Sequence, residues 1–276
     1  MCMQGLDNTG RNGRFWLANA NKLAGIALAG LVLTGVGSCR KSAPPATESA
    51  SVRPIRDVIA EADRLYGGRE DLTKVRQALV ALRQGQAAEP GSYELAWRLA
   101  KFNYYLGAHS ADETEREKAY RDGIAAGRLA VKLQDGKPDG HFWLGANYGG
   151  MAQISTLSGL SEIDEIKHEM ETVIKLDQGY QSGAAYMVLG QVYLEAPGLL
   201  GGDTQKAIEF FEKGIKFGPE NSLLHLHLAE AYFEAHRNED ARKQIAWLLA
   251  SKPNPGYEPE HNEAVAQARK LQEKLK

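Results

Sequence analysis

Hydrophobic residues along this chain recur at every third or fourth position, the spacing of one helix face. Residues 55–82 carry Ile55, Val58, Ile59, Ala62 and Leu65, then Leu72, Val75, Leu79 and Leu82. Ile166, Met170, Val173 and Leu176 repeat the pattern further on. Residues 259–275 set Ala264, Ala268, Leu271 and Leu275 among Glu, Gln, Arg and Lys, which predicts an amphipathic terminal helix with a polar outer face. Sustained alternation, the mark of a strand, is missing, so the expected class is all-α.

A longer period overlies the short one. Leu-small pairs precede a tyrosine four times: Leu99-Ala100 before Tyr104, Leu144-Gly145 before Tyr148, Leu189-Gly190 before Tyr193, and Leu228-Ala229 before Tyr232. Two of these are followed by Ala207 and Phe211, then Pro219, and by Ala241 and Ile245, then Pro253. Pro219 and Pro253 are 34 residues apart. This resembles the tetratricopeptide repeat (TPR), a pair of antiparallel helices with that period. The resemblance implies an α-solenoid of stacked hairpins closed by a C-terminal capping helix. Small residues let paired helices approach, and no hairpin can bury its apolar face alone, so neighbours stack. Residues 54–276 are the expected repeat domain, with residues 55–85 as a degenerate first repeat.

The N-terminal residues follow a different pattern. Arg11, Arg14 and Lys22 precede an apolar run from Leu23 to Val36, too short for the roughly 20 residues of a membrane span. The run ends in Val36-Gly37-Ser38-Cys39, which resembles the lipobox of bacterial lipoproteins. The expectation is a signal peptide over 1–38, lipidation at Cys39, and a flexible tether over 39–53 that is rich in Pro and Ser. An uncleaved anchor, or ordinary cleavage near Gly37, are the alternatives. Arg40, in place of the Asp that retains lipoproteins at the inner membrane, favours the outer membrane of a bacterial envelope by the same resemblance, with the folded part facing the periplasm.

A narrower resemblance covers about residues 60–275. The stretches YELAWRLAKFNYYLG, GHFWLGANYGG and EIDEIKHEMETVIKLDQGY, with a hairpin broken by PGLLGG, resemble the T-component of tripartite ATP-independent periplasmic (TRAP) transporters. They are also related in pattern to the animal regulators of microtubule dynamics. The T-component resemblance implies a lipid-anchored, helical homo-oligomer that partners a periplasmic solute-binding subunit and handles a hydrophobic ligand.

Composition narrows the chemistry. With 33 Lys+Arg against 35 Asp+Glu, nothing supplies the cationic excess that nucleic acid demands. The two cysteines, Cys2 and Cys39, both lie in the N-terminal segment, so the body has no thiol nucleophile or Cys-based zinc site. His225 and His227 point to opposite sides of a helix. His141 and His168 fall on two helices of one hairpin, and the expectation for them is a polar helix start and a solvated surface residue rather than a metal pair. Ser155, Ser158 and Ser161 lack the G-x-S-x-G elbow of a hydrolase. Gly198–Gly202 lacks the Lys of a phosphate loop, and Asp203 is the expected cap of the next helix. The mixed cluster from Asp112 to Arg121 is a solvated helix face. Neither cofactor nor metal is expected, and binding is expected rather than catalysis.

The remaining candidate is the concave face of the solenoid. Helix periodicity assigns it Trp97, Lys101, Tyr104 and Tyr105, then Phe142, Ala146, Gly149 and Gly150, then Met187, Gln191 and Leu194. These are mostly apolar and aromatic. TPR domains that clamp a peptide carboxylate use Lys and Asn here, and only Lys101 stands in such a place. Two readings stay open: the groove takes a partner protein or hydrophobic ligand, or the apolar segment 151–163 fills it.

Overall fold

The computed structural model describes residues 53–154 and 159–276. Cys39, the leader and the tether up to residue 52 lie outside the described residues, as do Ser155 and Ser158. Among the described residues there are eleven α-helices and no strand. They run α1 Ile55–Tyr66, α2 Leu72–Ala88, α3 Tyr93–His109, α4 Glu113–Leu133, α5 Pro138–Ile154 and α6 Gly159–Leu176. Then come α7 Ala184–Glu195, α8 Thr204–Phe217, α9 Ser222–Glu234, α10 Asn238–Ala250 and α11 Glu258–Lys274. Five hairpins, α1–α2 to α9–α10, stack in order, and α11 packs on α9 and α10 as the terminal cap.

Local chemistry starts the helices where the sequence places polar residues. Asp71, Asp112 and Asp203 each accept a hydrogen bond from a backbone N–H of the first turn, and Asn221 accepts from Leu223 and Leu224. Each such cap is worth about 1 kcal/mol. Asp203 therefore caps α8, and the glycines before it form one turn of 3-10 helix, Gly198–Leu200, and a left-handed residue at Gly201.

Small residues set the distance between helices. A methyl group on Gly127 of α4 would sit 2.9 Å from the Leu144 Cα of α5, and one on Gly190 of α7 would sit 2.4 Å from the Phe211 ring of α8. Gly183, before α7, has φ +76 and its absent side chain would meet the Gly214 carbonyl at 2.5 Å, so both space and backbone require glycine. The repeat tyrosines do equivalent work: Tyr148 accepts from Arg128 at 3.0 Å, and Tyr232 donates to Glu212 at 2.8 Å, each to the helix 20 positions earlier.

Alternate helices lie side by side, α3 on α5, α7 on α9 and α9 on α11, but α5 and α7 do not pack closely. The chamber described below lies where they diverge. Segment 151–163 is divided: 151–154 extend α5 and 159–163 begin α6.

Gly127→Leu is expected to lower unfolding free energy by about 1–3 kcal/mol in urea titration, because its new atoms meet backbone that no rotamer change can move. An unchanged midpoint would contradict this account of the α4–α5 approach.

Candidate ligand chamber

The concave side of the array holds a half-open cavity of about 950 Å³. From α3 it takes Tyr104 and Tyr105; from α5, Phe142, Trp143, Ala146, Gly149 and Gly150; from α7, Met187, Val188, Gln191, Val192 and Glu195. Ile163 and Ile166 of α6 add apolar wall, so the described part of the 151–163 segment, Ala152, Gln153 and Ile163, lines the cavity.

Three of the residues expected on this face stand elsewhere. Trp97 packs into the hairpin seam, with its Nε1 donating to Glu94 at 2.9 Å and the Arg98 guanidinium over its ring at 4.2 Å. The Lys101 ammonium lies behind the wall, 5.0 Å from the Tyr66 ring centroid and 5.5 Å from that of Trp143. Burial, with Arg69 nearby, holds its pKa down. Leu194 turns toward the α8–α9 core. The superhelical turn of the array explains these departures, since it rotates the inward stripe differently on each successive helix.

Sequence periodicity also misses how the cavity is closed. Arg69, in the turn between α1 and α2, reaches the opposite end of the chain. Its Nη2 donates to Glu260 Oε2 at 2.6 Å and to the Gly256 carbonyl at 2.8 Å, and its Nε donates to Glu260 Oε1 at 3.1 Å. The guanidinium stands 5.3 Å and 5.8 Å from the Tyr66 and Tyr105 ring centroids. Burial opposes the charge on Arg69, but Glu260 outweighs it and raises the pKa. Partners 191 positions apart thus join the first hairpin to the cap, and Tyr66, Leu72, Tyr257 and His261 enter the same chamber.

The buried histidines are engaged in structural bonds. His141 Nδ1 meets Glu169 Oε2 at 2.6 Å, and Nε2 meets the Asp135 carbonyl at 2.8 Å. His225, at the equivalent repeat position, meets Gln244 Oε1 at 2.7 Å and the Pro219 carbonyl at 3.0 Å. His141 is therefore a buried ion-pair partner rather than a plain polar helix start, and its companion is Glu169; His168 is exposed. Glu169 stands three positions after Ile166 and four before Val173, on the apolar stripe of α6, so helix spacing alone places it on the buried face. Among the described residues no group of three His, Cys, Asp or Glu side chains is arranged to hold a metal ion.

A family model described as TRAP transporter T-component matches residues 103–276. The chain belongs to the TRAP transporter T-component family. Among solved structures, a thermophilic TPR protein of Thermus thermophilus is 17% identical with a TM-score of 0.60, over 78% of this chain and 99% of that one. Pseudomonas aeruginosa pilF is 17% identical with a TM-score of 0.51, over 80% of this chain and 92% of that one. At such identity these two show the fold alone, a TPR solenoid. No curated protein matches the chain by sequence. The T-component family is a non-catalytic kind of protein, and membership places the chain in the bacterial envelope. No helix among the described residues is long and apolar enough to cross a membrane.

Arg69→Met should destabilise the fold by about 3–5 kcal/mol, since it leaves the mostly buried Glu260 carboxylate without its partner. Hydrogen exchange should quicken most in α1, α2 and α11; uniform quickening along the T-component would contradict the closure. The His141–Glu169 pair makes stability depend on pH. Burial lowers the His141 pKa, yet Glu169 and the Asp135 carbonyl outweigh it and the net shift is upward. The pair's contribution is thus complete below the unfolded value of about 6.5 and is lost as pH rises through the raised folded value. The stability difference between the native chain and Glu169→Gln should shrink in urea titrations as pH rises from about 6 through the raised folded value. A constant difference would contradict the pairing.

Proposed function

We propose that this T-component is a lipid-anchored, periplasm-facing subunit of a TRAP transporter system that holds a hydrophobic ligand in its chamber and docks the transporter's solute-binding subunit. The closure by Arg69 and Glu260 carries the reading. A partner helix needs a groove open along its length. Here the first hairpin meets the last helix across one end of the groove, and the half-open cavity of about 950 Å³ falls in the roughly 300–1,000 Å³ range of small-molecule sites. Phe142, Trp143, Val188 and Ile166 supply apolar wall, which favours a ligand with a hydrocarbon body. The proposed role is binding without chemistry, because the buried histidines are engaged in helix-to-helix bonds.

The lipobox-like Val36-Gly37-Ser38-Cys39 and the polar residues after it support anchoring at Cys39, with Arg40 favouring the outer membrane. Scaffolding of a protein partner has its own support. Leu199, in the loop beside the chamber rim residue Pro197, is wholly exposed. An apolar side chain so displayed suits the centre of a docking site.

Delipidated protein should bind the neutral dye Nile red with one-to-one stoichiometry. Met187→Trp, which pushes a larger ring into the chamber, should weaken that binding about tenfold, equivalent to about 1.4 kcal/mol. Absent binding, or binding indifferent to Met187→Trp, would contradict the chamber reading. Mass spectrometry of envelope-purified protein should show a diacylated Cys39 at a new N-terminus; an intact leader with a free thiol would contradict the anchor.

A further inference from the structure

Between α7 and α8 the chain runs Ala196-Pro197-Gly198-Leu199-Leu200-Gly201-Gly202, without one polar side chain. A water-facing turn ordinarily draws on Asn, Asp and Ser. This one leaves Leu199 wholly exposed, with Pro197 and Gly201 exposed beside it. The loop is also held in shape. The Gly201 N–H donates to the Gly198 carbonyl and the Gly202 N–H to the Pro197 carbonyl, each at 3.2 Å. The Asp203 N–H donates to the Tyr193 carbonyl at 2.7 Å, which ties the end of the loop back to α7. A side chain on Gly202 would begin 1.8 Å from the Ala196 carbonyl oxygen, so the base of the loop is pinched shut. A loop shaped in advance loses little conformational freedom when its tip is buried.

The surroundings of the loop are aromatic and cationic. Tyr193 of α7 stacks on Phe210 of α8 with ring centroids 5.3 Å apart. The ammonium groups of Lys167 on α6 and Lys206 on α8 lie 5.0 Å and 5.5 Å from the Tyr193 centroid, and that of Lys213 lies 5.5 Å from the Phe210 centroid. Lys167 Nζ is 3.7 Å from where a Gly201 side chain would begin, which sets a cation against the loop itself. An aromatic face holds an ammonium without neutralising it. Among the described residues no carboxylate forms an ion pair with any of the three lysines; Asp164, Glu171 and Glu209, each one helical turn from one of them, pair with none.

An apolar tip above a girdle of aromatic rings and lysines matches the layering of a bilayer surface. Hydrocarbon takes the tip, the rings sit at the level of the headgroups, and long lysine stems carry their charge to the phosphates. Two considerations favour lipid over protein as the occupant. A lone leucine between glycines offers a partner protein neither a polar side chain nor a broad patch, and a fluid bilayer requires neither. The chain from Cys39 to Arg53 spans at most about 50 Å when extended, about the width of a domain of this size, so anchoring at Cys39 keeps the folded part beside the membrane.

We propose that loop 197–201 dips into the phospholipid bilayer, with Leu199 among the acyl chains and Lys167 and Lys206 at the lipid phosphates. This rests on the lipid-anchor reading above and names lipid, rather than a protein, as what covers Leu199. Ala196 and Pro197 also line the chamber, so the inserted loop sets the chamber's mouth at the membrane surface. A hydrophobic ligand then passes between bilayer and chamber without crossing open water.

The test uses the native anchored chain reconstituted in vesicles of phosphatidylcholine, alone or with an equal part of phosphatidylglycerol. Leu199→Cys carries the environment-sensitive dye NBD, and a doxyl-labelled lipid quenches it from within the acyl region. Native chain treated with the dye should stay unlabelled, because Cys39 is acylated and Cys2 leaves with the leader. The dye at 199 should shift to the blue and be quenched, more strongly with phosphatidylglycerol. The same dye at Val80→Cys, an exposed apolar site on α2, should stay in water. Lys167→Gln together with Lys206→Gln should lower the ratio of inserted to free loop about tenfold, and Lys270→Gln, exposed on α11, should leave it unchanged. A dye at 199 that stays in water while the chain remains on the vesicles would overturn the insertion and leave the anchor standing. Quenching indifferent to Lys167 and Lys206 would overturn their phosphate contacts. A chain that leaves the vesicles, or takes the dye at Cys39, would overturn the anchor and with it the proposal.

Discussion

The bond between Arg69 and Glu260 turns a row of hairpins into a vessel. A helical-repeat array has two free ends and an open concave face. Here a guanidinium from the first inter-helix turn makes hydrogen bonds to a carboxylate on the last helix and to the Gly256 carbonyl. Arg69 is 6% exposed, so the pair is shielded from the solvent that weakens surface ion pairs. Taking the charges out of water has a cost, and good geometry with several hydrogen bonds offsets it. The aromatic faces of Tyr66 and Tyr105 add a second favourable environment for the guanidinium. Apolar side chains that would face open water in a free array are thereby gathered around one half-open cavity.

Packing within the hairpins makes that closure possible. Gly127, Gly145 and Gly190 bring helices close enough for curvature to accumulate over five hairpins. The divergence of α5 and α7 leaves room inside the curve, and lengthened α5 and α6 wall it. Stability and function are therefore divided by position. The Tyr148 and Tyr232 bonds tie hairpin to hairpin, and the His141 and His225 bonds tie the two helices within one, while the chamber is lined mainly by apolar side chains.

Much of this is legible in the sequence, and the physical reason for the limit is specific. Leu-small pairs and the 34-residue spacing disclose helix hairpins because packing within a hairpin is local. The same periodicity identifies Tyr104, Phe142, Ala146, Met187 and Gln191 as one inward stripe, and the structure sets them on the chamber. It assigns Trp97, Lys101 and Leu194 to that stripe as well, because helix spacing ignores the superhelical rotation that turns each successive helix. Arg69 and Glu260 are invisible to any local pattern: their meeting across 191 positions is the sum of every hairpin's curvature. Glu169 lies on the same helix face as Ile166, Met170 and Val173, so spacing marks its burial, while its partner His141 comes from another helix and is not given by spacing.

Native mass spectrometry of the full chain, extracted gently from a bacterial envelope, tests the closed chamber most directly. The account predicts one small apolar molecule retained per chain, and its loss when Arg69→Met opens the clasp. Native protein that flies without any small molecule, or Arg69→Met protein that retains one as firmly as the native chain, would contradict it.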